Sequence, residues 1–153
     1  MEKMKIMLVD DEERFLLTTG KLLARKGFDI LTASRGEQCL EMLADNLVHV
    51  VILDVKMPGM SGLETLQEIK RDHPLIEVIM LTGHATVESA VEGLRSGAID
   101  YLMKPVSVDD LMAKAEAAFA RRQIIEDKIR SARTRKSMDQ PTDDALNEAV
   151  KKE

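Results

Sequence analysis

Five polar residues of this chain have the types that bind a divalent cation and a phosphoryl group. Three are the carboxylates Asp10, Asp11 and Asp54, and the others are the hydroxyl of Thr82 and the ammonium group of Lys104. Carboxylate oxygens are ligands that Mg²⁺ prefers, usually together with phosphate oxygens. Lysine supplies a compact positive charge to phosphoryl oxygens. The set therefore predicts chemistry at a phosphoryl group beside a bound Mg²⁺.

Each of these residues stands at the end of a short, largely apolar run. The runs occupy residues 6–9, 50–53, 78–81 and 99–103. Buried parallel strands read as continuous hydrophobic runs, and ligands of open α/β sheets bind beyond the carboxyl ends of the strands. We therefore expect the runs to be strands of one sheet, with the five polar residues gathered at one edge of it.

Helical patterns alternate with these runs and predict the fold class. Apolar residues recur at helical spacing after each run, and a further strand is predicted at residues 29–33. This gives five strands and five helices in strict alternation by about residue 120. The predicted fold is α/β, a doubly wound five-stranded parallel sheet of the flavodoxin-like (βα)5 type, with an extended C-terminal helix.

The adjacent carboxylates of Asp10 and Asp11 favour a cation over a bare phosphate, because Glu12 and Glu13 add to their repulsion. Taken alone, such an acidic run is also typical of the solvated start of a helix. Asp54 favours the first interpretation, since it follows four apolar residues and so lies at the tip of a buried strand. Aspartate carboxylates act as nucleophiles toward phosphoryl groups, and a metal ion offsets the repulsion between the two.

Together these motifs resemble the receiver domain of two-component response regulators. The resemblance covers about residues 4–122 and is carried by residues 7–12, 53–62, 81–85 and 101–105. The stretch at residues 86–98 is similar to receivers that control sigma-54-dependent activators.

The resemblance implies a role for each residue of the strand-end set. Asp54 would accept a phosphoryl group from a histidine of a sensor kinase or phosphotransfer protein. Asp11, Asp54 and the backbone carbonyl of Lys56 would ligate Mg²⁺, with Asp10 acting through water. Lys104 would contact the phosphoryl group. The chain would then be a signalling domain and not an enzyme, apart from catalysing its own phosphorylation and dephosphorylation.

The resemblance also implies a switch and a cis peptide bond. Phosphorylation would draw Thr82 toward the acceptor, and Tyr101 would move into the space behind it. This would change the surface formed by the fourth helix, fifth strand and fifth helix. Lys56 and His84 occupy the two positions that tune phosphoryl lifetime in the family. The peptide bond before Pro105 is implied to be cis, a form that is essentially confined to proline.

Length and composition exclude several classes of protein to which the chain could belong. At 153 residues and 44% hydrophobic, the chain is long enough for one full core. A net charge of −5 and 3% aromatic residues argue against general nucleic-acid binding. The single Cys39 excludes an intrachain disulfide, and no apolar run approaches the ~18 residues of a membrane span. We expect a soluble cytoplasmic protein that does not bind a membrane.

We predict a receiver domain at residues 1–122, a helical extension at 123–136 and a flexible polar tail at 137–153. A heptad seam follows the last helix through Leu111, Ala115, Ala118, Arg122, Ile125, Ile129 and Ala132. Either two chains pair along this seam, or one amphipathic helix packs on its own domain and frays beyond Arg122. The basic residues at 121–136 either touch nucleic acid or form a solvated helix face.

Two other classes of protein remain as alternatives. One is a magnesium-dependent phosphatase with an aspartate nucleophile, which usually shows Asp-x-Asp after its first strand. The other is an interaction module of the same fold that works without phosphate. No Gly-x-x-x-x-Gly-Lys loop or helix-turn-helix module is found in the sequence. We therefore expect a stand-alone receiver or a piece of a longer protein, with a kinase and a downstream protein as partners and no direct DNA binding.

Overall fold

The computed structural model describes residues 3–83 and 86–139, with side chains described as far as Arg135. The strands are β1 (Lys5–Val9), β2 (Asp29–Ala33), β3 (Val50–Leu53), β4 (Glu77–Thr82) and β5 (Asp100–Met103). The helices are α1 (Glu13–Arg25), α2 (Gly36–Asp45), α3 (Gly62–Asp72), α4 (Val87–Arg95) and α5 (Val108–Asp139). The predicted alternation of strands and helices is confirmed.

The five strands form one sheet in the order β2-β1-β3-β4-β5, and every neighbouring pair is parallel. The register pairs Val9 with Leu53, and Leu53 with Met80. All side chains of β3 and β4 are buried, because helices cover both faces of the sheet at its centre. This is the predicted flavodoxin-like (βα)5 sheet.

Two hydrophobic layers hold the helices against the sheet. On one face, α1 and α5 contribute Leu16, Leu23, Leu111, Ala115 and Ala118. On the other face, α2 and α3 contribute Cys39, Leu43, Leu66 and Ile69. The strands alternate their side chains between the two layers, so each face of the sheet is buried.

The helices that begin near the carboxyl ends of β3 and β4 each start with a side-chain cap. The Ser61 hydroxyl accepts a hydrogen bond from the Glu64 N–H at the start of α3. Thr86 and Ser89 exchange side-chain and backbone hydrogen bonds at the start of α4, which makes a capping box. The predicted helix at residues 86–96 is therefore the observed Val87–Arg95 with a cap at each end.

The last helix continues past the receiver core. The described residues separate into two compact units that divide after Arg122, and α5 ends at Asp139. Most of the predicted tail, residues 140–153, lies outside the described residues. Leu111, Ala115 and Ala118 of the predicted heptad seam are buried in the core of the first unit. They are therefore covered by residues of their own chain.

No helix within the described ranges combines the length and the apolar character that a membrane-spanning segment requires.

Candidate functional site

The ends of four strands bring the predicted site residues to one edge of the sheet. Asp10 follows β1, Asp54 follows β3, Thr82 is the last residue of β4, and Lys104 follows β5. The sheet ladder continues into the site, because the Asp54 N–H donates to the Val9 carbonyl at 2.9 Å and the Lys104 N–H donates to the Thr82 carbonyl at 2.8 Å. The backbone therefore fixes where these side chains start.

Three carboxylates converge at this edge. Ligand oxygens of Asp10, Asp11 and Asp54 all lie within 4.8 Å of one another. Asp10 and Asp54 are buried, with 1% and 5% of their surface exposed, whereas Asp11 is exposed. Hard, anionic oxygens that are open to solvent on one side fit Mg²⁺, which keeps several of its waters. The residues present therefore fit this cation.

Burial and mutual repulsion disfavour the charged forms of the two buried carboxylates. Burial raises the pKa of Asp54, and the nearby charge of Asp10 raises it further, against hydrogen bonds from the Thr82 hydroxyl and the Val55 N–H. Burial also raises the pKa of Asp10, against the hydrogen bond from Lys104. A bound cation would relieve this repulsion.

Lys104 contacts the carboxylates of Asp10 and Glu12. Its Nζ donates to Asp10 Oδ2 at 2.6 Å and to Glu12 Oε1 at 3.3 Å, and it lies 4.2 Å from the centroid of the Phe15 ring. Burial opposes the charge of Lys104, but the bonds to Asp10 and Glu12 outweigh burial and raise its pKa. The Lys104–Pro105 peptide bond is cis, as the resemblance implied.

The loop between β3 and α3 carries Lys56, whose side chain is exposed. Two hydrogen bonds fix this loop. The Gly62 N–H donates to the Val55 carbonyl at 2.8 Å, and the Met60 N–H donates to Glu37 Oε1 of α2, also at 2.8 Å. The loop that would present the Lys56 carbonyl to Mg²⁺ is thus held at both of its ends.

Tyr101 lies half-buried beside α4. Its hydroxyl oxygen is 2.6 Å from Ser89 Oγ, and a Cβ added at Gly93 would lie 3.5 Å from its ring. Ser89 in turn bonds to Thr86 at the start of the helix. The structure therefore connects Tyr101 to the first turn of α4. The predicted lifetime residue His84 lies outside the described residues.

Sequence reasoning did not single out three residues that support the site. Phe15 lies under Lys104, Glu37 holds the loop after Asp54, and Ser89 holds Tyr101. Ser89 could have been found, because it stands three residues after Thr86 in a capping-box pattern. Glu37 and Phe15 carry no comparable sequence signal.

Known proteins resemble this chain in sequence and in fold. The family model of the response regulator receiver domain matches residues 6–116. The transcriptional regulatory protein ZraR of Escherichia coli O157:H7 is 38% identical over 125 residues, which are 82% of this chain and 28% of ZraR. The DNA-binding transcriptional regulator NtrC of Escherichia coli (strain K12) is 36% identical over 123 residues, 80% of this chain and 26% of NtrC. This chain thus spans less than a third of either relative.

A solved structure agrees with the sequence relatives. The crystal structure of a CheY-like response regulator receiver domain protein from Methanospirillum hungatei JF-1 superposes with a TM-score of 0.77 at 30% identity. The match covers 80% of this chain and 98% of that chain. From the family match, the relatives and the shared fold, we conclude that this chain belongs to the response regulator receiver domain family of signalling domains.

Proposed function

We propose that this receiver accepts a phosphoryl group on Asp54 from a phosphohistidine of a sensor kinase or phosphotransfer protein, with Mg²⁺ bound beside it. The observation that carries the proposal is the convergence of Asp10, Asp11 and Asp54 within 4.8 Å. Lys104 and Thr82 lie at the same edge of the sheet and supply a positive charge and a hydroxyl. These are the groups that phosphoryl transfer to a carboxylate requires.

The transfer replaces a phosphorus–nitrogen bond with a phosphorus–oxygen bond. An Asp54 carboxylate oxygen attacks phosphorus, and the histidine nitrogen leaves with the bonding electron pair. The Val55 N–H donates to Asp54 Oδ1 at 2.8 Å and so orients the carboxylate. Mg²⁺, held by Asp11, Asp54 and the Lys56 carbonyl with Asp10 acting through water, would offset the negative charges that meet in this step.

Lys104 is positioned to stabilise the phosphoryl oxygens. Its Nζ lies 2.6 Å from Asp10 Oδ2, and an ammonium group has three hydrogens to donate. A phosphoryl group on Asp54 would therefore compete with Asp10 and Glu12 for these hydrogens. The same pull would draw the Thr82 hydroxyl, which bonds to Asp54, toward the new oxygens.

The output surface lies beyond Thr82 and Tyr101. The exposed apolar residues Val87, Val91 and Leu94 lie along α4, and Met103 at the end of β5 is exposed as well. We propose that phosphorylation alters this α4–β5–α5 surface and so controls a downstream protein partner or pairing of two chains. The names of ZraR and NtrC suggest that a longer protein of this kind would regulate transcription.

Mass spectrometry after incubation with phosphoramidate and Mg²⁺ tests the acceptor. We expect one added phosphoryl group that resists acid and is removed by base. The Asp54→Ala variant should gain none, whereas Asp45→Ala, which removes an exposed carboxylate at the end of α2, should behave like the wild type. If the Asp54→Ala variant gains the group as readily, the proposal is wrong.

The same experiment separates the alternatives. Release of inorganic phosphate that continues in the Asp54→Ala variant would indicate a phosphatase, because a receiver that dephosphorylates itself releases phosphate only through Asp54. Absence of both adduct and release in the wild type would indicate an interaction module that works without phosphate. Light scattering with Mg²⁺, before and after addition of beryllofluoride, then shows whether the output is a change in mass, with Asp54→Ala as control.

A further inference from the structure

Tyr101 is attached to α4 through contacts with two small residues. The Tyr101 hydroxyl lies 2.6 Å from Ser89 Oγ, and its ring lies against Gly93. Ser89 and Gly93 are four residues apart, so they lie on the same face of the helix. The ring therefore lies along the first two turns of α4, with its hydroxyl at the first turn.

The Ser89 oxygen makes more contacts than a simple helix cap needs. It accepts from the Thr86 N–H at 3.1 Å, and it lies 3.1 Å from the Thr86 carbonyl oxygen and 2.9 Å from Thr86 Oγ1. A serine hydroxyl has one hydrogen to donate and two lone pairs. The Thr86 N–H and the Thr86 hydroxyl both donate to this oxygen, and its own hydrogen can go to the Thr86 carbonyl. The Tyr101 hydroxyl is a further polar neighbour, and in that pair either oxygen can be the donor.

The Thr86–Ser89 pair closely follows Thr82 in the chain. Thr82, whose hydroxyl bonds to Asp54, stands four residues before Thr86 at the end of β4. Ser89 Oγ bonds to both Thr86 and Tyr101, so it connects the start of α4 to the tyrosine.

We propose that Ser89 is a positioning residue whose hydroxyl holds Tyr101 against α4 and so sets the resting balance of the switch. The proposal rests on the proposed function, because it assumes that phosphorylation moves Tyr101. The Ser89–Tyr101 bond exists only while Tyr101 lies along α4, so it stabilises that state alone. Removing it shifts the population toward the switched state, by about two- to ten-fold for one hydrogen bond.

A double-mutant cycle measures this link. The variants are Ser89→Ala, Tyr101→Phe and the pair of them, and the readout is the affinity for beryllofluoride in the presence of Mg²⁺ by calorimetry. A binding-competent state that is more populated binds with higher apparent affinity. We expect each single variant to bind about two- to ten-fold more tightly than the wild type, and the double variant to bind no more tightly than either one.

Thr86→Ala is the matched control for the cap. It removes the hydroxyl that accepts from the Ser89 N–H and contacts Ser89 Oγ at 2.9 Å, but it leaves the Ser89 oxygen that holds Tyr101. If tighter binding arises only from a loosened helix start, Thr86→Ala will reproduce the effect of Ser89→Ala, and the proposal is overturned. We expect Thr86→Ala to leave the affinity near that of the wild type.

Tyrosine fluorescence gives a readout that needs no phosphoryl mimic. The chain has one Tyr and no Trp, so the emission reports on Tyr101 alone. Ser89→Ala should increase quenching of this emission by acrylamide in the unliganded protein, and Thr86→Ala should not. Equal quenching and equal affinity in wild type and Ser89→Ala would overturn this proposal alone. If the wild type fails to bind beryllofluoride, the proposed function is wrong and this proposal falls with it.

Discussion

Helices α3 and α4 follow neighbouring strands of the same sheet, yet they are anchored in different ways. Helix α3 buries Gly62, Thr65, Leu66 and Ile69, whereas α4, all of whose residues are described, buries only Gly93. Elements with few buried apolar contacts open at a lower free energy than core elements. Asp54, the proposed phosphoacceptor, therefore lies next to a firmly packed helix, and Tyr101, the proposed switch residue, lies next to a loosely packed one.

The connections that lead into the two helices differ in the same way. The loop after β3 is closed by the hydrogen bond from the Gly62 N–H to the Val55 carbonyl and by Glu37 of α2. The Asp54 carbonyl oxygen also lies close to Gly62. The start of α4 is held mainly by hydroxyl groups, those of Thr86, Ser89 and Tyr101. Hydroxyl contacts can be exchanged at little cost, because each partner can find another donor or acceptor. The difference agrees with the proposal that Asp54 stays in place while Tyr101 moves.

Matched glycine substitutions should give the largest contrast between the two helices. A Cβ at Gly62 would lie 2.1 Å from the Asp54 backbone oxygen, and the backbone cannot move aside. We expect Gly62→Ala to lower the free energy of unfolding by more than about 4 kcal/mol, an exceptional value for one substitution. A Cβ at Gly93 would lie 2.8 Å from the sulfur of the flexible Met80 side chain and 3.5 Å from the Tyr101 ring, which is an ordinary contact distance. Gly93→Ala should therefore change the free energy of unfolding by roughly 1 kcal/mol or less.

Urea denaturation followed by circular dichroism measures both changes, without Mg²⁺. Equal losses of stability in the two glycine variants would show that α4 is packed as firmly as α3 and would remove the contrast.

Leucine truncation tests the same contrast through apolar packing. Leu66 of α3 is fully buried, and Leu66→Ala should cost about 3 kcal/mol, the sum of lost burial and a new cavity. Leu94 of α4 is 49% exposed, so Leu94→Ala should cost about 1 kcal/mol at most. Thermal unfolding of both variants gives the comparison. A Leu94→Ala cost as large as that of Leu66→Ala would contradict it.

We expect the smallest effect from a change to the loop between β3 and α3. Glu37→Ala removes the carboxylate that accepts from the Met60 N–H, and with it one restraint on the loop that carries Lys56. Mutation of a group that supports a metal ligand typically lowers the affinity for the metal by ~10-fold or more. Because Glu37 is exposed, we expect Glu37→Ala to lower the affinity for Mg²⁺ by less than this. Glu41→Ala, an exposed carboxylate of the same helix, is the control, and calorimetric Mg²⁺ titration is the measurement. An unchanged affinity would show that Gly62 alone holds the loop.

Most of the fold could be predicted because its signals are local. The strand at residues 29–33 and the apolar runs that end at Asp10 and Asp54 were found from hydrophobicity alone. The heptad seam was less informative. Leu111, Ala115 and Ala118 have the spacing of a helix-pairing stripe, but they face their own sheet, since periodicity shows that a face is apolar without showing what covers it.

The supporting residues of the site were harder to predict. Glu37 bonds to a loop 23 positions away in sequence, and an exposed glutamate in the first turn of a helix is common. Ser89 reaches a tyrosine 12 positions away. Neither contact follows from the types of residue involved, because both depend on how α2 and α4 are placed on the sheet.

By itself, the sequence determined which residues end the strands, and with them the family, the fold and the acidic cluster. The alternation of strands and helices along the chain and the polar residues at the strand ends are sufficient for that, because parallel strands bring their carboxyl ends to one edge of the sheet. Only the tertiary structure decided the rest: that Lys104 pairs with Asp10 across 94 positions, and that α3 is anchored by apolar packing and α4 by hydroxyl groups. These features depend on distances and burial, which arise only when separate elements pack together.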